Sequence, residues 1–157
     1  MKQTRELDNA CGLLAALHIF GNYKETIKLP KDSVLNKFFD STTDFDQFQR
    51  AKFLENFTDL KEKHQVFANY GQSFPVEYNT NTNNYNIKEK QPIHHFISFV
   101  NLDNNLIEMD GTLDGPLLLK TNIPTGNFLI EVLKEISKRI NKGIIREDLS
   151  IMILTYC

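Results

Sequence analysis

The sequence lacks most of the features that would place it quickly in a special class. It has two cysteines, one of them the terminal Cys157, so it cannot build a disulfide framework and a reducing compartment, the cytoplasm, is the expected setting. No apolar run approaches the length of a membrane span. There is no Lys/Arg cluster, and 18 basic against 20 acidic residues leave a formal charge of −2, so neither a nucleic acid nor a membrane is expected as a partner. His, Cys and acidic residues do not gather at metal-ligand spacing, and His64 is expected on the surface. Internal repeats and domain boundaries are missing as well. A secretory leader is not expected: Met1-Lys2 and Arg5 precede an apolar run, but Glu6 and Asp8 break the basic region and His18 interrupts the run. What remains is a single domain of 157 residues, long enough to bury a core.

The most informative stretch is Asn9-Ala10-Cys11-Gly12-Leu13-Leu14-Ala15-Ala16-Leu17-His18. Asn9 is a favoured helix N-cap, the run after it is apolar up to Phe20, and Gly21-Asn22 supplies a stop. A helix apolar on nearly every side belongs in an interior. Cys11 then falls in its first turn, where the positive end of the helix dipole favours a thiolate and makes a nucleophile. Inert packing is the alternative, because cysteine is among the most buried residue types.

Further along, Pro30 and Asp32-Ser33 open a short helix with Val34, Leu35, Phe38 and Phe39 as its apolar positions. Asp44-Phe45-Asp46-Gln47 has capping-box spacing, and the helix it starts is expected to turn Phe45, Phe48, Leu54 and Phe57 inward. Asp59 to about Tyr70 reads as another helix. From Gly71 to Pro92, Gly, Pro and an Asn/Thr tract break every period, which predicts a long irregular loop. Near the C-terminus, Leu117–Leu119 reads as a short strand. Leu129, Val132, Leu133, Ile136 and Ile140 line a helix face ending near Lys142-Gly143, and Leu149–Leu154 reads as a strand buried on both faces.

Between loop and C-terminus, His95–Val100 and Leu106–Asp110 are strand-like runs. With Asp103-Asn104 at the centre of a tight turn, Phe99 faces Glu108 and Ile97 faces Asp110. Side-chain alternation then puts His95 on the face of Asp110, as a diagonal cross-strand neighbour within hydrogen-bonding reach, and His94 on the other. A His oriented by an Asp is the base half of a nucleophilic triad, with Cys11 as the missing member. A solvated His–Asp pair on a half-exposed sheet is the alternative, and a one-residue slip in register would separate the pair. Helices first and a meander-like sheet afterwards predict an α+β fold, a papain-like layered arrangement with helices packed on a central, mainly antiparallel sheet.

The chain resembles the ubiquitin C-terminal hydrolases, papain-like cysteine deubiquitinases. The resemblance is carried by Met1-Lys2-Gln3-Thr4, Asn9-Ala10-Cys11-Gly12, Leu17-His18, Arg50–Asn56, Gly71-Gln72, His95–Asn101 and Glu108-Met109-Asp110-Gly111. It implies Cys11 as nucleophile, His95 as base and Asp110 as the group orienting the imidazole, with no metal and no cofactor. His95 rather than His94 stands directly before the aromatic of the strand and fifteen residues before the Asp. The loop from Gly71 to Pro92 matches the family's crossover loop, which limits what can be threaded past the site. The implied activity is hydrolysis at the C-terminal glycine of ubiquitin, favouring small leaving groups, with ubiquitin's tail and body as the partner and a monomeric enzyme. The alternatives are a truncated, inactive or weakly ubiquitin-binding paralogue and a papain-like peptidase or transferase with another acyl substrate.

Two departures from the family pattern stand out. The family's oxyanion-binding Gln lies six residues before the Cys, where this chain has Arg5; Gln3, the nearby candidate, lies eight before Cys11. Family members also carry a further strand and helices before the Met-Lys-Gln-Thr motif. Relative to them residues 1–157 form an N-terminally incomplete catalytic domain, expected to be poorly soluble and weakly active alone.

Overall fold

The computed structural model describes residues 1–70 and 95–155. The expected loop at Gly71–Pro92 and His94 lie outside them, as does Cys157. A 3-10 helix over Arg5–Ala10 runs directly into α1 (Cys11–Asn22), followed by α2 (Lys24–Ile27), α3 (Val34–Ser41), α4 (Gln47–Asn56) and α5 (Thr58–Tyr70). An antiparallel sheet of β1 (Ser98–Leu102), β2 (Asn105–Met109) and β3 (Leu117–Lys120) follows in that spatial order, and α6 (Phe128–Asn141) packs on β2. Helices first, then an antiparallel meander, make this an α+β fold of the papain-like class. No helix among the described residues is long and apolar enough to cross a membrane.

Two apolar clusters divide the interior. The larger joins Leu7, Leu14 and Leu17 to Phe38, Leu54 and Leu60, with Phe39, Phe53 and Phe57 packed around them. The smaller holds Leu106, Ile123 and Val132 between sheet and α6. Arg139 of α6 ties the second cluster to the hairpin: it pairs with the buried Glu108 carboxylate and with Glu135, and its guanidinium stands 5.9 Å from the Phe99 ring centroid. Phe99 and Glu108 are cross-strand partners, so one cation covers both.

The hairpin forms as its turn residues dictate. Asp103 and Asn104 both take positive φ, 51° and 59°, as a two-residue turn matching the strand twist requires. Phe99 pairs with Glu108 in the expected register.

Five expectations are corrected. Asn9 is not the N-cap of α1; it lies inside the 3-10 helix, and Ala10 occupies the cap position without a side-chain hydrogen bond. The capping box sits two residues later than Asp44 suggests: Asp46 accepts from Phe48 and Gln49 N–H, and the Gln49 side chain accepts from Asp46 N–H. With that start, Phe48 points outward and is 58% exposed. On α6, Val132, Phe128 and Ile136 face the core while Leu129 and Leu133 are exposed. Leu149–Leu154 forms no strand: these residues have no ladder partner, and Met152 is 90% exposed. An apolar run becomes a strand only where a sheet edge accepts it.

Candidate active site

Cys11 is the first residue of α1 and is partly buried. Its neighbour Gly12 lies under the ring of Phe96: a Cβ at Gly12 would stand 3.6 Å from Phe96 Cδ2. The residues directly after Cys11 and directly after His95 are therefore in contact, and α1 packs along β1 beyond them.

His95 lies just before β1 and Asp110 just after β2. His95 Nε2 donates to Asp110 Oδ2 at 2.9 Å, so the diagonal pair expected from the register forms. Asp110 Oδ1 accepts two more hydrogen bonds, from Thr112 N–H and Thr112 Oγ1, each at 2.8 Å. Burial, which leaves the Asp110 side chain 10% exposed, pushes its carboxyl up. The Thr112 N–H, His95 and the Thr112 hydroxyl outweigh it, and the pKa lies below the ordinary Asp value. The carboxylate thus stays ionised with both oxygens engaged, and the His95 ring is fixed with Nδ1 left for another partner.

The N-terminal tetrapeptide straps these parts together. His18 Nε2 lies 3.1 Å from the Met1 amino nitrogen and 3.2 Å from the Met1 carbonyl oxygen. Lys2 Nζ donates to the Thr112 and Leu113 carbonyls and pairs with Asp114 at 2.9 Å. Gln3 N–H donates to Gly111 O at 2.8 Å, and Thr4 Oγ1 donates to Glu55 of α4 at 2.6 Å. Gly111 makes this approach easy: a Cβ there would meet Gln3 Cβ at 3.1 Å and Gln3 N at 3.3 Å, and the strap would have to give by a few tenths of an ångström. Gln3 is thereby anchored beside Asp110-Gly111 and Leu14 of α1.

His18, which stands in the Leu17-His18 motif and interrupts an apolar run but carries no assigned role in the sequence, is 6% exposed. Burial holds its pKa below the ordinary histidine value, with the adjacent amino terminus adding to the effect and the carbonyls of Met1 and Met109 offsetting part of it. Thr112 and Lys2 were not singled out either. Thr112 had a local signal, since an Asp-Gly-Thr turn offers the carboxylate a hydroxyl two residues on. Lys2 had none, its partners being more than a hundred residues away.

Cys11 thus heads a helix that packs along β1, and the His95–Asp110 pair lies at the open end of the β1–β2 hairpin. Comparison with known proteins narrows the class: a family model described as ubiquitin carboxyl-terminal hydrolase, family 1, matches residues 1–141, and the chain belongs to that family. It is 34% identical over 143 residues to ubiquitin carboxyl-terminal hydrolase 3 of Arabidopsis thaliana, covering 91% of this chain and 54% of that protein. It is 32% identical over 109 residues to a ubiquitin carboxyl-terminal hydrolase of Drosophila melanogaster, 69% of this chain and 42% of the other. With isozyme L1 of Monodelphis domestica it shares 30% over 117 residues, 74% and 46% of the two chains. The chain spans about half the length of these curated relatives.

Proposed function

We propose that the chain is a cysteine-type ubiquitinyl hydrolase, cutting ester, thioester or amide bonds at the C-terminal glycine of ubiquitin. The observation that carries this is the His95–Asp110 pair at 2.9 Å, locked by Thr112, on a hairpin packed against the helix that Cys11 heads. With Nε2 committed to Asp110, His95 Nδ1 takes the Cys11 proton. The thiolate attacks the glycine carbonyl, His95 returns the proton to the leaving group, and an acyl-enzyme remains. Water, deprotonated by the same nitrogen, then releases ubiquitin and restores the thiol.

The developing oxyanion is assigned to the Gln3 side-chain amide, helped by the positive end of α1. The Gln3 N–H bond to Gly111 O supports this despite the spacing, because it holds Gln3 beside Asp110. The preference for small leaving groups follows from the match of Gly71–Pro92 to the family's crossover loop. Cleavage of a short ubiquitin amide is expected to be much faster than cleavage of folded di-ubiquitin, and equal rates would reject the preference.

Ubiquitin carrying a C-terminal electrophile tests the whole proposal. Covalent capture at Cys11, lost in Cys11→Ala and kept in Cys157→Ala, supports it. Binding without capture identifies a non-catalytic paralogue, and neither binding nor capture points to another acyl substrate.

A further inference from the structure

Tyr23 closes α1 and joins it to the sheet. Its hydroxyl donates to Asn101 O at 2.9 Å and accepts from Asn101 N–H at 2.9 Å. A single side chain meets both backbone groups of one strand residue, as a neighbouring strand would. Asn101 lies on the outer edge of β1, with β2 on the other side. The main chain of Tyr23 is itself fixed on both sides: its N–H donates to Ile19 O at 3.1 Å, and its carbonyl accepts from Thr26 and Ile27 N–H at 3.0 and 2.9 Å. The hydroxyl is therefore a rigid clamp.

The opposite end of α1 meets the strand where Phe96 covers Gly12. From Gly12 to Tyr23 is eleven residues of helix, about 16.5 Å at a rise of about 1.5 Å each. From Phe96 to Asn101 is five residues, the last four of them in β1. The two segments run in the same direction and are joined at both ends. Such a two-point attachment fixes both the slide and the rotation of the helix on the strand. Cys11 stands one residue before the first attachment on the helix, and His95 one residue before it on the strand.

We propose that Tyr23 is a positioning residue: its clamp on Asn101, acting with the Gly12–Phe96 contact, sets the register that brings Cys11 to His95. This rests on the assignment of Cys11 and His95 as nucleophile and base. A helix released at one end can shift by the roughly 1 Å that costs on the order of a hundredfold when a nucleophile is misplaced. Tyr23→Phe keeps the ring and removes both hydrogen bonds. Water can reach the half-buried edge at Asn101, so the fold is expected to survive the substitution.

The test is the pH dependence of Cys11 alkylation by iodoacetamide, read at that residue by peptide mass spectrometry. The unsubstituted protein is expected to react at pH 5, with His95 taking the Cys11 proton, and His95→Ala to lose that reactivity. Tyr23→Phe is expected to lose about tenfold at pH 5 while matching the unsubstituted rate at pH 9, and to lower kcat for a small ubiquitin ester with KM unchanged. Leu60→Ala, which weakens the cluster that also holds Leu14 and Leu17 of α1 but leaves the Tyr23 hydrogen bonds in place, is expected to melt earlier with an unaltered profile. A Tyr23→Phe profile identical to an acid-reactive unsubstituted protein overturns the proposal alone. So does an equal loss in Leu60→Ala. An ordinary thiol profile in the unsubstituted protein overturns the Cys11–His95 pairing and the proposal with it.

Discussion

Asp110 receives three hydrogen bonds, and one of them can be removed without changing the shape of the site. Thr112→Val deletes the hydroxyl donor and leaves the backbone one, so the carboxylate keeps His95 but loses part of its orientation. Hydrogen bonds to charged groups contribute about 1.5–3 kcal/mol, and if about half of that is felt in the transition state, probe capture is expected to slow about tenfold. The same substitution has a consequence in acid. A carboxylate whose folded pKa is depressed stabilises the fold above its unfolded value, about 3.9, and loses that contribution as pH falls through the folded value. Without the hydroxyl the folded pKa is less depressed, so the midpoint of acid unfolding, below about pH 4, is expected to move upward, as circular dichroism would record. His95→Ala is expected to cost several orders of magnitude in turnover, in the range of a lost triad member, and His94→Ala far less. Kinetics on the two single variants check this, and equal losses would reject the register argument for His95. The His95–Asp110 contact was legible because strand alternation and a two-residue turn are local rules. Thr4–Glu55 and Lys2–Thr112 were not, because nothing local relates residues so far apart in sequence.

At the scale of elements, α4 shows where pattern reading goes astray and why. The acid-x-x-Gln spacing occurs twice in overlapping form, at Asp44–Gln47 and at Asp46–Gln49. The chain leaving α3 chooses between them: Phe45 N–H donates to Thr42 O, and Arg50 Nε donates to the same carbonyl, so residues 42–45 are held in a turn and the helix starts after it. Asp46→Ala is expected to cost about 1 kcal/mol, lowering Tm by roughly 2–4 °C for a chain of this size, and Asp44→Ala to change nothing measurable. Thermal melts of the two variants decide the point; a larger loss from Asp44→Ala would contradict the assigned cap. The start of α1 was misplaced for a related reason. Asn9 is a good cap by type, but the chain is already turning in the 3-10 helix when it reaches that residue, so no extended cap position exists there. Cys11 nonetheless falls at the first residue of α1, since Gly12 and the apolar residues beyond it are what pack against Phe96 and the core.

For the whole molecule, burial is uneven, and that decides how residues 1–157 behave as an isolated polypeptide. The helical half encloses a cluster that includes fully buried Leu14, Phe38 and Leu54. Among the described residues the sheet half encloses a smaller cluster of Leu106, Ile123 and Val132, with Val100 buried on β1. In that half Leu117 and Leu118 on β3, Ile130 and Leu133 on α6, and Ile151, Met152, Ile153 and Leu154 are exposed. Among the described residues β3 is also an edge of the sheet, and Leu117 and Leu118 are exposed on it. An edge strand with exposed apolar side chains and an exposed apolar segment of strand length are both templates for intermolecular pairing. Domains are stable by only about 5–15 kcal/mol, so association through such surfaces competes readily with the monomer. Residues 1–157 alone are therefore expected to associate with rising concentration, as sedimentation velocity would show. Leu118→Lys combined with Ile153→Lys is expected to reduce the association strongly. Both residues lie away from the His95–Asp110 hairpin end in sequence and carry none of its hydrogen bonds, so labelling of Cys11 by the ubiquitin probe is expected to persist in the double variant. A monodisperse, sharply melting monomer at every concentration would show that this apolar surface does not drive association.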